Sequence, residues 1–279
     1  MSPIQSIVVQ FHGAPECVPR LQAAVALAEA HEATLQAVYA QTPNYLMYPY
    51  AFSLSPEFAP VLVDDEKARR AAAQALFDQR LAGRAHAQWV EEAGEPAQGF
   101  SRLALCSDLM VLGQALPRPQ SSGALPADFV ESVLLTSGKP ALVVPYIGAP
   151  EKIGRVALVA WKETRESARA LSAALPLLQR AERVHVACGG EGKAVSGWSE
   201  APPLDVQAYL RRHGVQATMH RESTVSRDLG NLLLSLAADL SADLLVMGCY
   251  GHGRAREWVL GGASRTVLES MTLPVLMAH

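Results

Sequence analysis

The chain has 279 residues, of which 49% are hydrophobic and 18% charged, and its formal net charge is −3. That length fits two domains of ordinary size, the composition excludes a disordered chain, and the mild negative charge gives no electrostatic reason for a nucleic-acid or anionic-membrane partner. No apolar run approaches the roughly 20 residues of a membrane span, Met1 to Phe11 lacks the order of a signal peptide, and Cys17, Cys106, Cys188 and Cys249 are scattered without a CxxC pair, so a reduced, cytoplasmic protein without disulfides or zinc is expected.

In chain order, Ile7-Val-Val-Gln-Phe11 reads as a buried strand, Leu21 to Leu27 as a helix, and Thr34 to Tyr39 as a second strand. The segment Tyr45 to Phe58 is rich in aromatic residues and methionine, which suits either an interface or a cover over its own domain. Asp64 to Leu76 starts acidic, as a helix N-terminus favours. Ser107-Asp-Leu-Met-Val-Leu-Gly113 is a strand ending in glycine, and Lys139-Pro-Ala-Leu-Val-Val144 is a strand opened by proline. Ile147 to Lys152 is a turn-rich linker.

After the linker the pattern repeats. Val156-Ala-Leu-Val-Ala-Trp161 precedes the helical stretch Leu171 to Leu177, in gapless register with the first copy through to Val184–Cys188. Asp228 to Ala238 reads as a covering helix, Ala242-Asp-Leu-Leu-Val-Met-Gly248 matches the 107–113 strand, and Leu273-Pro-Val-Leu-Met277 matches the 139–144 strand. Continuous apolar strands indicate a sheet covered on both faces. Strands alternating with helices define an α/β fold with ligands expected at the carboxyl ends of the strands. The expected domains are 1–148 and 151–279.

Chemistry concentrates in the second copy. Its strand ends at Gly248 and runs into Cys-Tyr-Gly251-His-Gly-Arg254-Ala-Arg256, continues to Leu260-Gly261-Gly262-Ala-Ser264, and then enters a helix over 263–271. Glycines let backbone N–H groups approach an anion without a Cβ in the way, and the helix start adds unpaired N–H groups and a positive dipole end. Ser264 can add a hydroxyl donor, and Arg254 and Arg256 can add charge.

At these residues the sequence resembles the universal stress protein family, whose nucleotide-binding members carry Gly-x2-Gly-x9-Gly-[Ser/Thr]. The resemblance covers both halves and implies two tandem modules, each a mostly parallel five-stranded sheet flanked by helices. It also implies dimerisation through the last strand, with ATP held at the glycine loop in some members and no nucleotide in others. Gly248, Gly251 and Gly261 match the motif; Gly262 replaces the first hydroxyl residue, and Ser264 matches the second hydroxyl position. Lys162 and Glu163 replace the acidic residue after the first strand and the small residue behind it. In the first copy His12 holds the position of Lys162, Gln114-Ala-Leu-Pro follows Gly113 where a second glycine is needed, and Asp128 stands at the last helix start, so that site is expected to be dead for nucleotide.

The cofactor expected is therefore ATP or AMP, in the second domain only, held by Gly248, Gly251, Gly261, Gly262, Ser264, Lys162 and Arg254. Gly190-Glu-Gly-Lys193 fails the P-loop pattern, and Gly262-Ala-Ser264-Arg-Thr266 fails the nucleophile-elbow pattern. His252 beside Cys249 is too little for a metal site. Three readings stay open: a stress-response binding or signalling module that is not an enzyme, a nucleotide-free scaffold pairing through the strands 140–145 and 274–279, and a slow ATP hydrolase with no nameable catalytic residue. Intramolecular pairing of the domains and a homo-oligomer are the expected associations.

Overall fold

The computed structural model describes residues 4–42, 44, 57, 59–81, 86–92, 94–115, 125–189, 204–222, 228–249 and 262–279. The chain divides into two compact units, Ile4–Lys139 and a second formed mainly by Pro140–His279. The aromatic 45–56 segment and the loop residues Gly251, Arg254, Arg256 and Gly261 lie outside the described residues.

In the first unit β1 (Ser6–Phe11) leads through a 3-10 turn at Pro15–Cys17 into α1 (Val18–His31), then β2 (Thr34–Tyr39) and α2 (Ala59–Leu81). β3 (Ala87–Glu91), α3 (Pro96–Ala104), β4 (Leu109–Gly113) and α4 (Phe129–Ser137) complete it. The four strands are parallel in the order β3-β2-β1-β4. The acidic run at Asp64 is not the start of α2, which begins at Ala59 with Pro60 in its first turn. Proline is favoured there because the N–H it lacks would have no partner in the helix.

The second unit begins with β5 (Ala141–Val144) and continues with β6 (Val156–Trp161), α5 (Arg165–Leu178) and β7 (Arg183–Gly189). α6 (Val206–Arg212), β8 (Ala217–Glu222), α7 (Leu229–Asp239), β9 (Leu244–Gly248), α8 (Gly262–Ser270) and β10 (Val275–Ala278) follow. Its strands run in the order β5-β10-β9-β6-β7-β8, parallel except at β5, which pairs antiparallel with β10 through Val143↔Val275, Leu142↔Leu276 and Ala141↔Met277. The last strands of the two sequence repeats thus pair with each other inside one chain. That ladder is why the compact second unit starts at Pro140, upstream of the repeat border at 147–152.

The central strands are buried throughout: Ile7 to Phe11, Leu109 to Leu112, Leu244 to Met247, and all of β5 and β10. Each Val or Leu so enclosed stabilises the fold by about 1.5–3 kcal/mol. On α5 the buried residues Ser167, Ala170, Leu171, Ala174, Leu175 and Leu178 form one stripe at helical spacing.

The repeated Asp-Leu dipeptide has a structural reason. Asp108 Oδ2 accepts hydrogen bonds from the Gln5 and Ser6 amides at 2.8 and 3.0 Å, fastening the start of β1 to the start of β4. Asp243 does the same for β6: Oδ1 accepts from Gly154 N (2.8 Å) and Val156 N (3.2 Å), and Oδ2 from Arg155 N (3.2 Å). A carboxylate accepting amide N–H bonds makes a strong clasp.

Candidate functional site

In the second unit the chain leaves β6 towards β7 on one side, while β9 lies on the other. This is the topological switch point, where open α/β sheets take ligands at the carboxyl ends of their strands. Register places Ala160 beside Met247, so Lys162 and Gly248 come to the same edge of the sheet.

Gly248 ends β9, and the structure gives it a reason the spacing did not suggest. A Cβ there would run into the Ser167 amide nitrogen and lie 2.6 Å from the Glu166 carbonyl carbon and 2.9 Å from Glu166 Cβ. The missing side chain admits the first turn of α5 onto the strand end, so Gly248 is accounted for by helix–strand packing. That turn is self-capped: Thr164, the N-cap, accepts from Ser167 N at 3.3 Å, and its carbonyl accepts from Ala168 N at 3.0 Å.

Gly262 is different. It is exposed, opens α8, and among the described residues nothing stands within 4 Å of where its Cβ would be. Ser264, two residues on, is buried at 4% exposure. Lys162 and Glu163 are exposed just past β6.

Sequence reading passed over Glu166. It lies 4% exposed beside Gly248 and forms an ion pair with the exposed Arg165. Burial works to raise its carboxyl pKa, but the Arg165 hydrogen bond, a backbone hydrogen bond, the Arg165 charge and a hydrogen bond with Thr164 together outweigh it and hold it below the usual carboxylate range. Its charge adds to burial in pushing the neighbouring Cys249 thiol far above its ordinary range. Cys249 is therefore a thiol at neutral pH and a poor metal ligand. Among the described residues no group of three His, Cys, Asp or Glu could hold a metal. The carbonyl of His279 accepts from Arg169 Nη1 at 2.7 Å, which anchors that residue to α5.

The corresponding edge of the first unit is filled by side chains. Arg20, on α1, lies over Gly113 at the end of β4: a Cβ there would collide with Nη1 and sit 3.0 Å from Cζ. Arg20 Nη2 is 2.5 Å from His12 Nε2. Burial first, then the Arg20 charge, lower the His12 pKa to about 3, so the ring is neutral and accepts. Next to it, Arg69 donates to Gln41 Oε1 (3.1 Å) and Asn44 Oδ1 (2.8 Å), while Gln41 Nε2 donates to the His12 carbonyl (3.0 Å). Arg20 was also missed in the sequence, although its signal was there. It falls on the buried stripe Arg20, Leu21, Ala24, Leu27, Ala28, where gapless register puts Ala170 in the second repeat.

The fold defines the class: a duplicated α/β module whose second copy has its switch point between β6 and β9. Residues 155–279 match the model of the Universal stress protein family. Two solved structures are similar over nearly the whole chain. One is a universal stress protein from Archaeoglobus fulgidus DSM 4304 (15% identity, TM-score 0.63, covering 98% of this chain and 95% of that one). The other is a protein of Pseudomonas aeruginosa UCBPP-PA14 provisionally called a universal stress protein (15% identity, TM-score 0.61, covering 99% and 93%). At this identity the likeness is one of fold, and it supports two tandem modules. No curated protein matches the chain. Among the described residues no helix is long and apolar enough to cross a membrane.

Proposed function

We propose that the second unit is a non-catalytic binding module of a cytoplasmic stress-response protein, and that it holds the phosphates of ATP or AMP at the β6/β9 edge. One observation carries the reading. The first turn of α8 begins at Gly262 with no described residue crowding its Cβ position, and exposed Lys162 stands just past β6, the strand next to β9. A helix start with no Cβ at its mouth and a cation at the same sheet edge favour a phosphate group. In this reading the backbone at Gly251, Gly261 and Gly262 approaches the phosphates, Ser264 and Arg254 add donors, and Gly248 sets the helix that walls the site. We take 1–148 and 151–279 as the two modules, the first with a degenerate nucleotide site.

The test is calorimetric titration of the full chain with ATP and AMP. Saturable binding that weakens in Lys162→Ala and tightens in Gly262→Ser, which restores the hydroxyl, supports the reading. An absence of saturable binding where a control protein binds refutes it.

A second reading, a nucleotide-free scaffold, is favoured by β10 having both edges paired, to β9 and to β5. A homo-oligomer would then have to form elsewhere than on that strand. Light scattering that reports a stable oligomer dissociated by proline substitution within β10 refutes this.

A further inference from the structure

His185 on β7 and His220 on β8 share one face of the sheet in the second unit. The register pairs Met247 with Ala160, Ala160 with Ala187, and Ala187 with His220, so these four residues point the same way. His185, two residues before Ala187, points with them, because side chains alternate along a strand. Gly248, next to Met247, turns the opposite way and meets the first turn of α5. Both imidazoles therefore stand on the face away from that turn. Within its unit β8 pairs with β7 alone, which puts the two rings at the margin of the sheet.

The rings meet nitrogen to nitrogen. His185 Nδ1 is 2.9 Å from His220 Nε2, with the ring centroids 5.1 Å apart and the planes tilted by 47°. His185 Nε2, on the far side of its ring, is buried and has no hydrogen-bond partner among the described residues. His185 is 9% exposed, His220 is half-buried, and Thr218, directly across from His185 on β8, is exposed. Solvent thus reaches this part of the face.

A neutral imidazole has one bare lone pair. A single hydrogen between the facing nitrogens joins the rings, and so can a metal ion that accepts a lone pair from each. With metal–nitrogen bonds of about 2.0–2.1 Å, two nitrogens 2.9 Å apart subtend about 90° at a shared ion. That is the angle between neighbouring ligands of a square-planar or octahedral ion, whereas a tetrahedral ion needs a gap of about 3.3 Å.

We propose that His185 and His220 form a two-imidazole site for a divalent transition-metal ion of the Ni(II) or Cu(II) kind, with water in the remaining positions. His185 Nδ1 and His220 Nε2 are the ligating atoms, and the ring hydrogens move to the outer nitrogens. Two features hold the affinity below that of a closed site with three or four protein ligands. The outer His185 nitrogen lacks the acceptor that orients most ligating imidazoles, a loss of about 10–100-fold. Arg183, exposed and two residues before His185 on the same face, repels a cation.

The experiment uses the full chain without a histidine tag, stripped with a chelator. It is titrated calorimetrically with nickel chloride, copper(II) chloride and zinc chloride at about pH 7.5, where imidazoles are neutral. The expected result is one saturable site per chain that takes Cu(II) and Ni(II) more tightly than Zn(II). It weakens in His220→Gln and in His185→Gln by more than the roughly tenfold that losing an outer-shell partner costs. Electron paramagnetic resonance of the Cu(II) form shows two coordinated nitrogens, reduced to one in His220→Gln. His86→Gln, at an exposed histidine of the first unit, leaves the site unchanged. Equal Ni(II) or Cu(II) binding by the natural chain and His220→Gln overturns the proposal, and so does an absence of saturable binding of both ions. Should His185→Gln fail to fold, the half-buried His220 variant and the resonance spectrum decide alone.

Discussion

Alanine at Gly248 is the most direct test of how the ligand edge of the second unit is built. The new Cβ would lie 2.6 Å from the Glu166 carbonyl carbon and 2.9 Å from Glu166 Cβ, as well as against the Ser167 amide. Ordinary contact begins at 3.4 Å. Two of the three obstructing atoms are backbone, so no rotamer change relieves the overlap. The first turn of α5 has to move by about 1 Å, against its Thr164 cap, the Arg169–His279 hydrogen bond and its buried leucines. Overpacking of this kind costs about 1–3 kcal/mol, and a rigid backbone neighbour places the expectation in the upper half of that range. Gly262→Ala is the matched control. Its Cβ meets nothing within 4 Å among the described residues, and alanine favours a helix over glycine by up to about 1 kcal/mol, so stability should hold or rise slightly. Urea denaturation followed by circular dichroism measures both. A Gly248→Ala loss below about 0.5 kcal/mol, or an equal loss in Gly262→Ala, would refute the packing account.

Other consequences are open to measurement. Asp243→Ala removes the acceptor of three amides at the start of β6, and should cost about 2–3 kcal/mol in the same assay. Gln10 is fully buried with both amide atoms unpaired, so Gln10→Met should stabilise the first unit by about 1–2 kcal/mol. Acidification should destabilise the chain. His12 is lowered to about 3 in the folded state, and His185, 2.9 Å from His220, is lowered by burial and then by His220. Below pH 6.5 the unfolded chain takes up protons that the folded chain refuses, so stability present above that pH is lost as pH falls. The slope is at most about 1.4 kcal/mol per pH unit for each group, giving up to about 2 kcal/mol at pH 5 from His12 alone. Denaturation curves at pH 7 and 5 should show this loss, and His12→Asn should shrink it.

Much of the architecture is written in local pattern. The duplicated apolar strands, the glycine closing β4 and β9, and the proline opening β5 and β10 are readable because strands covered on both faces leave unbroken hydrophobic runs. β3, Ala-Gln-Trp-Val-Glu, and β8, Ala-Thr-Met-His-Arg-Glu, went unread: each pairs on one side only within its unit, and β3 is at best half-buried along its length. The glycine-loop spacing and the departures at Lys162 and Gly262 were also legible one residue at a time.

What the linear order leaves undetermined is which residues meet. The pairing of β5 with β10 joins positions separated by nearly half the chain, and it decides where the compact second unit begins. The two strand-ending glycines look alike in sequence but exist for different reasons: a helix backbone rests on Gly248, and a guanidinium lies over Gly113. Arg20 shows the physical cause most clearly. Helical periodicity puts it on the buried face of α1, but only the folded sheet reveals that, among the described residues, it forms no ion pair there. A charge's partner depends on separation in space, which short-range spacing along the chain does not encode.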